Sequence, residues 1–248
     1  MKYRRLGTTD LIVSEVGFGV WSVSTGWWGK VEKDDAIRLL RNAAHQGVTL
    51  FDTADTYAEG YGEEILRDAF PKNRHDLIIG TKFGYDIHAP READQHERPQ
   101  RWDPQFIRKA CEDSLRRLGT DYIDLYLLHQ PDKATPEEEV CASMDGLVRS
   151  GKIRYWGLSN HPATQVASFV DAAKAAGTTP PSALEEYYNI AGCYSDFPEG
   201  QSRIRWLEHE MFPVVRRYRL GTLFFSPVDV AYLATSHQAD PGTPLESL

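Results

Sequence analysis

Four residues of this 248-residue chain have the types and surroundings to move a proton under control. Asp52 and Tyr57 lie in "LFDTADTYAEGYGEE" (50–64), Lys82 closes "DLIIGTK", and His129 closes "YIDLYLLH". Tyrosine holds its proton to about pH 10 and is an indifferent acid until something stabilises its phenolate. A lysine ammonium does that, a carboxylate keeps the lysine charged and oriented, and histidine adds a second donor to a developing alkoxide. The set suits carbonyl reduction, in which hydride reaches the carbonyl carbon and a proton its oxygen. Singly, each residue reads more plainly as a strand cap, loop anchor or core residue. Their shared place at the ends of three consecutive apolar runs favours chemistry.

The elements that must position them form an alternating series. Residues 3 to 13 predict an N-terminal hairpin around Gly7-Thr8-Thr9-Asp10. Strand "VGFGVW" (16 to 21) precedes helix "DDAIRLLRNAAHQ" (34 to 46), which has Ile37, Leu40 and Ala44 on one face and Gly47 as its stop. Strand–helix units then recur: "TLFDTA" with "GEEILRDAF", "DLIIGTK" with "PQFIRKACEDSLRRLG", and "YIDLYLLH" with "PEEEVCASMDGLVRSG". "IRYWGLSN" follows with "PATQVASFVDAAKAAG", then "SALEEYYN" with "IRWLEHEMFPVVRRY", and "GTLFFS" comes last. Strands joined by helical crossovers are parallel, and apolar runs such as "LYLLH" require burial on both faces. The series predicts an α/β fold, a (β/α)8 TIM barrel forming a single domain over 1–248. In a barrel, Asp52, Lys82, His129, Ser159-Asn160 and Glu185 converge on one mouth. The eighth βα unit is missing or atypical, since after "GTLFFSP" only a tail rich in Pro, Gly and Ser remains. A shortened chain, a closing strand in the tail, or a second subunit over the open edge would each resolve this.

Composition excludes several classes. Hydrophobic residues make up 41% and charged residues 26%, so disordered and fibrous classes drop out. The formal charge of −8 argues against nucleic acid or an anionic membrane as partner. With no long apolar run and no signal core, the expectation is a soluble, cytoplasmic protein. Cys111, Cys141 and Cys193 are too few and too scattered for a disulfide framework or zinc site and read as packing thiols. His209-Glu210 has no second histidine at metal spacing, so no metal is expected. Trp27, Trp28, Tyr85 and Trp102 fall in βα loops at the reactive mouth. They suggest an apolar or aromatic substrate, against the plainer reading of rim packing.

"GFGVW", "LFDTADTYAEGYGEEILRDAF", "TKFG", "SLRRLGTDYIDLYLLHQPD", "VRSGKIRYWGLSN" and "FFSP" resemble the aldo-keto reductase superfamily, nearest its bacterial and potassium-channel-β-subunit-like branches. The resemblance implies a catalytic tetrad of Asp52, Tyr57, Lys82 and His129, with Tyr57 as general acid. It implies NADPH as cofactor, NADH being the alternative, and a small carbonyl substrate. On the same ground Ser159 and Asn160 would meet the carboxamide, Phe225 would stack on the ring, Ser226 would lie near the pyrophosphate, and Trp21 would sit beside cofactor and substrate. Two departures stand out. Glu185 replaces a glutamine of the family's Q-x-x-Y-N pattern and can accept from a carboxamide but not donate to it. Asp229 falls where the backbone should approach the pyrophosphate, and no Lys or Arg follows Arg219. Cofactor affinity below the family norm is therefore expected. Two rivals stay open: a non-redox acid/base enzyme (isomerase, dehydratase or cyclase), and a regulatory binding subunit.

Overall fold

The computed structural model describes residues 1–89, 98–131, 134–189 and 207–227. Among them, β1 (Tyr3–Arg5) and β2 (Ile12–Ser14) form the antiparallel hairpin. Seven strands then lie in one parallel sheet in sequence order: β3 (Phe18–Gly19), β4 (Leu50–Asp52), β5 (Ile78–Phe83), β6 (Ile123–Leu128), β7 (Ile153–Ser159), β8 (Ala183–Tyr187) and β9 (Gly221–Phe225). The sheet makes a nearly closed barrel, as the α/β reading requires. Residues 228–248, with Asp229 and the expected irregular eighth unit, lie outside the described residues, as does Cys193.

Side-chain alternation sorts each strand. On β4, Phe51 points outward into the layer beneath the helices while Leu50 points into the barrel. On β6, Tyr126 and Leu128 face the helices and Leu125 and Leu127 the interior. Period two therefore turns Lys82, two residues on from Gly80, inward, and sends Thr81 and Phe83 outward. Phe83 stacks on Tyr126 at 4.5 Å.

The helices are α1 (Trp21–Ser24), α2 (Lys33–His45), α3 (Tyr61–Ala69), α4 (Pro104–Leu118), α5 (Glu137–Arg149), α6 (Ala163–Ala176) and α7 (Phe212–Tyr218). On α4, the Asp103 side chain accepts from the Phe106 N–H at 3.0 Å, Pro104 occupies the first turn, and Gly119 ends the helix in the left-handed region at φ 64°. Two expectations shift. Trp21 starts a short helix instead of ending a strand, because only Phe18 and Gly19 pair with β4. The helix expected over "IRWLEHEMFPVVRRY" is in its described part a π turn (Leu207–Met211) followed by α7, with Pro213 in the first turn of α7.

Candidate active site

Asp52, Lys82 and Glu185 arrive from β4, β5 and β8, each on the inward side of its strand. Lys82 is 1% exposed, so it is no solvated strand cap. Its Nζ donates to both Asp52 carboxylate oxygens at 2.7 Å, to the Thr53 carbonyl at 3.0 Å and to the Tyr57 hydroxyl at 3.2 Å. It also pairs with Glu185 Oε1 at 3.1 Å and lies 5.0 Å from the centre of the Tyr57 ring. His129, just past β6, holds its ring edge-on to Tyr57 at 6.0 Å and to Tyr85 at 5.4 Å. The four residues proposed as a set, separated by up to 77 positions in the chain, thus meet at one end of the barrel.

The turn carrying Tyr57 is unusual. Ala58, Glu59 and Gly60 all have positive φ (48°, 57° and 95°), a conformation that costs non-glycine residues on the order of 1 kcal/mol or more each. Such a turn persists only when its surroundings over-determine it. The Tyr57 N–H bonds the Ala54 carbonyl, the Asp55 N–H bonds the Lys82 carbonyl, and the Gly62 N–H bonds the Tyr57 carbonyl. From outside the barrel, Arg117 of α4 lies against Gly60, where a Cβ would come within 2.3 Å of its Cδ. Arg117 also donates to the buried Glu63 carboxylate at 2.6 Å, and Glu63 accepts the Thr81 hydroxyl at 2.7 Å. Asp55 sits buried beside this pair, its carboxyl held well above the ordinary range by burial and by Glu63.

The electrostatics depart from the sequence reading in one respect. Burial raises the Tyr57 phenol above its usual pKa; Lys82 pulls it down, but Asp52 and Glu185 push it back up. The expected stabilisation by Lys82 is there, countered first by burial. For Lys82, burial opposes the ammonium, and Asp52 and Glu185 outweigh it to hold the amine well above its ordinary value. Burial, then Lys82, pushes His129 down to about 3, which leaves a neutral imidazole at physiological pH.

The residues assigned to a cofactor occupy the neighbouring strand ends. Ser159 on β7 is level with Glu185 on β8, and Phe225 on β9 is level with Tyr187. Asn160, left-handed at φ 60°, spends its amide nitrogen on the His129 carbonyl at 3.1 Å and Ser159 Oγ at 3.0 Å. Ser226 is left-handed as well, and its carbonyl accepts from Asn189 at 3.1 Å. Trp21 adjoins Asp52 through the Val20 N–H bond to the Asp52 carbonyl, and gathers Trp27 at 5.7 Å and Trp28 at 6.3 Å. Trp27 and Trp28 are exposed. Trp102 is not on the rim: it is 1% exposed and stacks on His161 at 5.5 Å beside Phe169, because the segment after Arg101 turns straight into α4. Sequence reasoning missed the Thr53 carbonyl, the Glu63–Arg117 brace and the direct Glu185–Lys82 contact. Two of these left a signal: Glu63, as an acid following Gly60 and Gly62 at a helix start, and Glu185, as a departure at a strand end. Among the described residues, no cluster of His, Cys, Asp or Glu could hold a metal ion, and no helix is long and apolar enough to cross a membrane. Burial pushes the Cys111 and Cys141 thiols up to about 12.

A parallel barrel with its charged groups gathered at the C-terminal strand ends has the layout in which (β/α)8 proteins carry their active sites. The chain belongs to the aldo/keto reductase family, whose pattern it matches over residues 15–242. It is similar to two Bacillus subtilis (strain 168) proteins. With the uncharacterized oxidoreductase YqkF it is 40% identical over 162 residues, 64% of this chain and 49% of that protein. With the aldo-keto reductase YhdN it is 36% identical over 188 residues, 75% of this chain and 55% of that protein. A probable voltage-gated potassium channel subunit beta from Oryza sativa subsp. japonica is 28% identical over 250 residues, 100% of this chain and 70% of that protein. The chain spans about half the length of the two bacterial relatives.

Proposed function

We propose that this chain belongs to an oxidoreductase that reduces an aldehyde or ketone to an alcohol with NADPH, or NADH as the alternative, and with Tyr57 as general acid. The observation that carries the reading is the Tyr57 hydroxyl 3.2 Å from a buried ammonium that is itself held by Asp52. A nicotinamide suits the neighbouring groups: a hydroxyl (Ser159) and an amide oxygen (Asn160) at the end of β7 and, across β8, a half-buried aromatic face (Phe225) at the end of β9. Ser159, Asn160, Phe225 and Ser226 would hold that end of the cofactor, with Trp21 beside it.

The bound cofactor supplies the hydride that goes to the carbonyl carbon. Tyr57 gives its proton to the carbonyl oxygen and is left as phenolate, which Lys82 steadies at close range. The phenol recovers a proton from solvent before the next turnover. His129, neutral, offers a hydrogen bond to the same oxygen without contributing charge. Trp27, Trp28 and Tyr85 would flank an apolar or ring-bearing substrate, whereas Trp102 is buried against His161 and Phe169.

Tyr57→Phe is expected to lose about 100-fold or more in the rate of carbonyl reduction with little change in nucleotide affinity. Stopped-flow hydride transfer with a panel of aldehydes, together with nucleotide fluorescence titration, checks both. A non-redox acid/base enzyme is the second reading, favoured by the extra carboxylate Glu185 at Lys82. Absence of NADPH and NADH binding at millimolar concentration would select it.

A further inference from the structure

Five oxygens surround the Lys82 ammonium: two of Asp52 at 2.7 Å, Thr53 O at 3.0 Å, Glu185 Oε1 at 3.1 Å and Tyr57 OH at 3.2 Å. An ammonium has only three protons to donate. Asp52 takes the shortest contacts, and its side chain keeps 21% exposure to water. Glu185 has the poorest share. Its side chain is 5% exposed, Lys82 reaches only Oε1, and Oε2 meets no donor among the described residues. The strands beside it bring no relief: its register partners are Ser159 on β7, with Asn160 next along, and Leu223 on β9. Among the described residues, the titratable groups that bear on it are Asp52, Lys82 and Tyr57. An ionised Glu185 would therefore be a second buried anion beside Asp52, with half of its acceptor capacity empty.

We propose that Glu185 holds a proton beside the Lys82 ammonium, and that it is a positioning residue which keeps the net charge around Tyr57 at zero. With the Lys82–Asp52 ion pair in place and Glu185 and Tyr57 neutral, the charges cancel. Burial, then Asp52, holds the Glu185 carboxyl well above the usual range, with Lys82 pulling the other way. Loss of that proton to solvent adds a negative charge at the lysine, against which Tyr57 must then give up its own proton. The phenol becomes a weaker acid, and carbonyl reduction falls on the alkaline side. This last consequence rests on the proposed function; the proton on Glu185 does not.

The test is a 13C NMR titration of unliganded protein carrying labelled glutamate side-chain carboxyls. One resonance is expected to titrate well above the other glutamates and to be missing from Glu185→Gln. Glutamates that all titrate together, or an outlying resonance that survives in Glu185→Gln, would overturn the proposal. Should Glu185→Gln fail to fold, Glu186→Gln and Glu63→Gln assign the signal by elimination, since Glu186 and Glu63 are the other buried glutamates among the described residues. The outlier then persists in both if the proposal holds and vanishes from one of them if it does not. In the pH profile of reduction, Glu185→Gln should carry the alkaline limb upward, outpacing the parent about tenfold for each pH unit of displacement. An unmoved limb removes the positioning role. Because the NMR titration needs neither cofactor nor substrate, a protein with the outlying carboxyl but no reductase activity would refute the proposed function and keep the proton on Glu185.

Discussion

At the scale of single residues, the barrel mouth uses burial to fix protonation states. His161 is fully buried, its Nδ1 donates to the Ser159 carbonyl at 2.6 Å, and burial, against that bond, pushes its pKa down to about 4. His129 is depressed in the same direction. Above about pH 6.5 both histidines are neutral whether folded or unfolded, and neither makes stability depend on pH. Below that, the unfolded chain takes up protons that the folded chain refuses, so stability falls as the pH drops from about 6.5 toward 4. For His161 the loss is about 3 kcal/mol at most. His161→Phe keeps a ring against Trp102 but forfeits the bond to Ser159, worth about 1 kcal/mol. The variant is expected to be less stable than the parent at pH 7.5, with the gap closing or reversing near pH 4.5. Urea unfolding at the two pH values decides this, and a constant gap would count against a neutral buried imidazole.

At the scale of elements, the turn that carries Tyr57 is braced by a helix on the outside of the barrel. Arg117 of α4 reaches across 54 positions to Glu63 at the start of α3, and Glu63 ties to Thr81, the neighbour of Lys82 on β5. Removing the guanidinium would strand Glu63, which has 0% exposure, and Asp55 as unpaired buried acids. Arg117→Met should therefore cost about 3–5 kcal/mol by urea unfolding and release the left-handed turn at 58–60, which rapid proteolysis of that turn would reveal. A loss below about 1 kcal/mol would mean that the turn holds itself. This brace also marks where the sequence was legible and where it was not. The apolar runs from "LFD" to "GTLFF" announced their strands because burial on both faces leaves no other use for them. The strand-end positions of Asp52, Lys82 and His129 followed from that order. Side-chain reach between helices has no period to read, so nothing in the run Arg116-Arg117 points to Glu63. Trp102 was misplaced because chain position after Arg101 does not tell which way a loop turns. Glu185 was legible as a departure, but its pairing with Lys82 depends on a barrel cross-section that no local pattern encodes.

For the molecule as a whole, the two ends of the barrel divide stability from chemistry. The N-terminal hairpin closes the end opposite the site. Leu6, Leu11 and Val13 pack with the interior residues Leu50, Leu125, Leu127 and Ala183. Gly7 lies so close to Gly221 that a Cβ there would stand 2.3 Å from the Gly221 nitrogen, at a φ of 56° that already favours glycine. Charge locks the plug in place: Asp10 bonds Arg154, which also holds Asp124, and Asp124 pairs with Arg74. None of these groups contacts Lys82 or Tyr57. Leu11 is 1% exposed, and truncating it leaves a cavity at the floor that the rigid barrel ends cannot collapse to fill. Leu11→Ala is expected to lower unfolding stability by about 2–5 kcal/mol, and the folded fraction should bind nucleotide and transfer hydride as the parent does. Denaturant melts beside single-turnover rates at a temperature where both proteins are folded make the comparison. A Leu11→Ala protein that is stable yet slow would show that the plug reaches the mouth through the strands, and the division between the two ends would have to be abandoned.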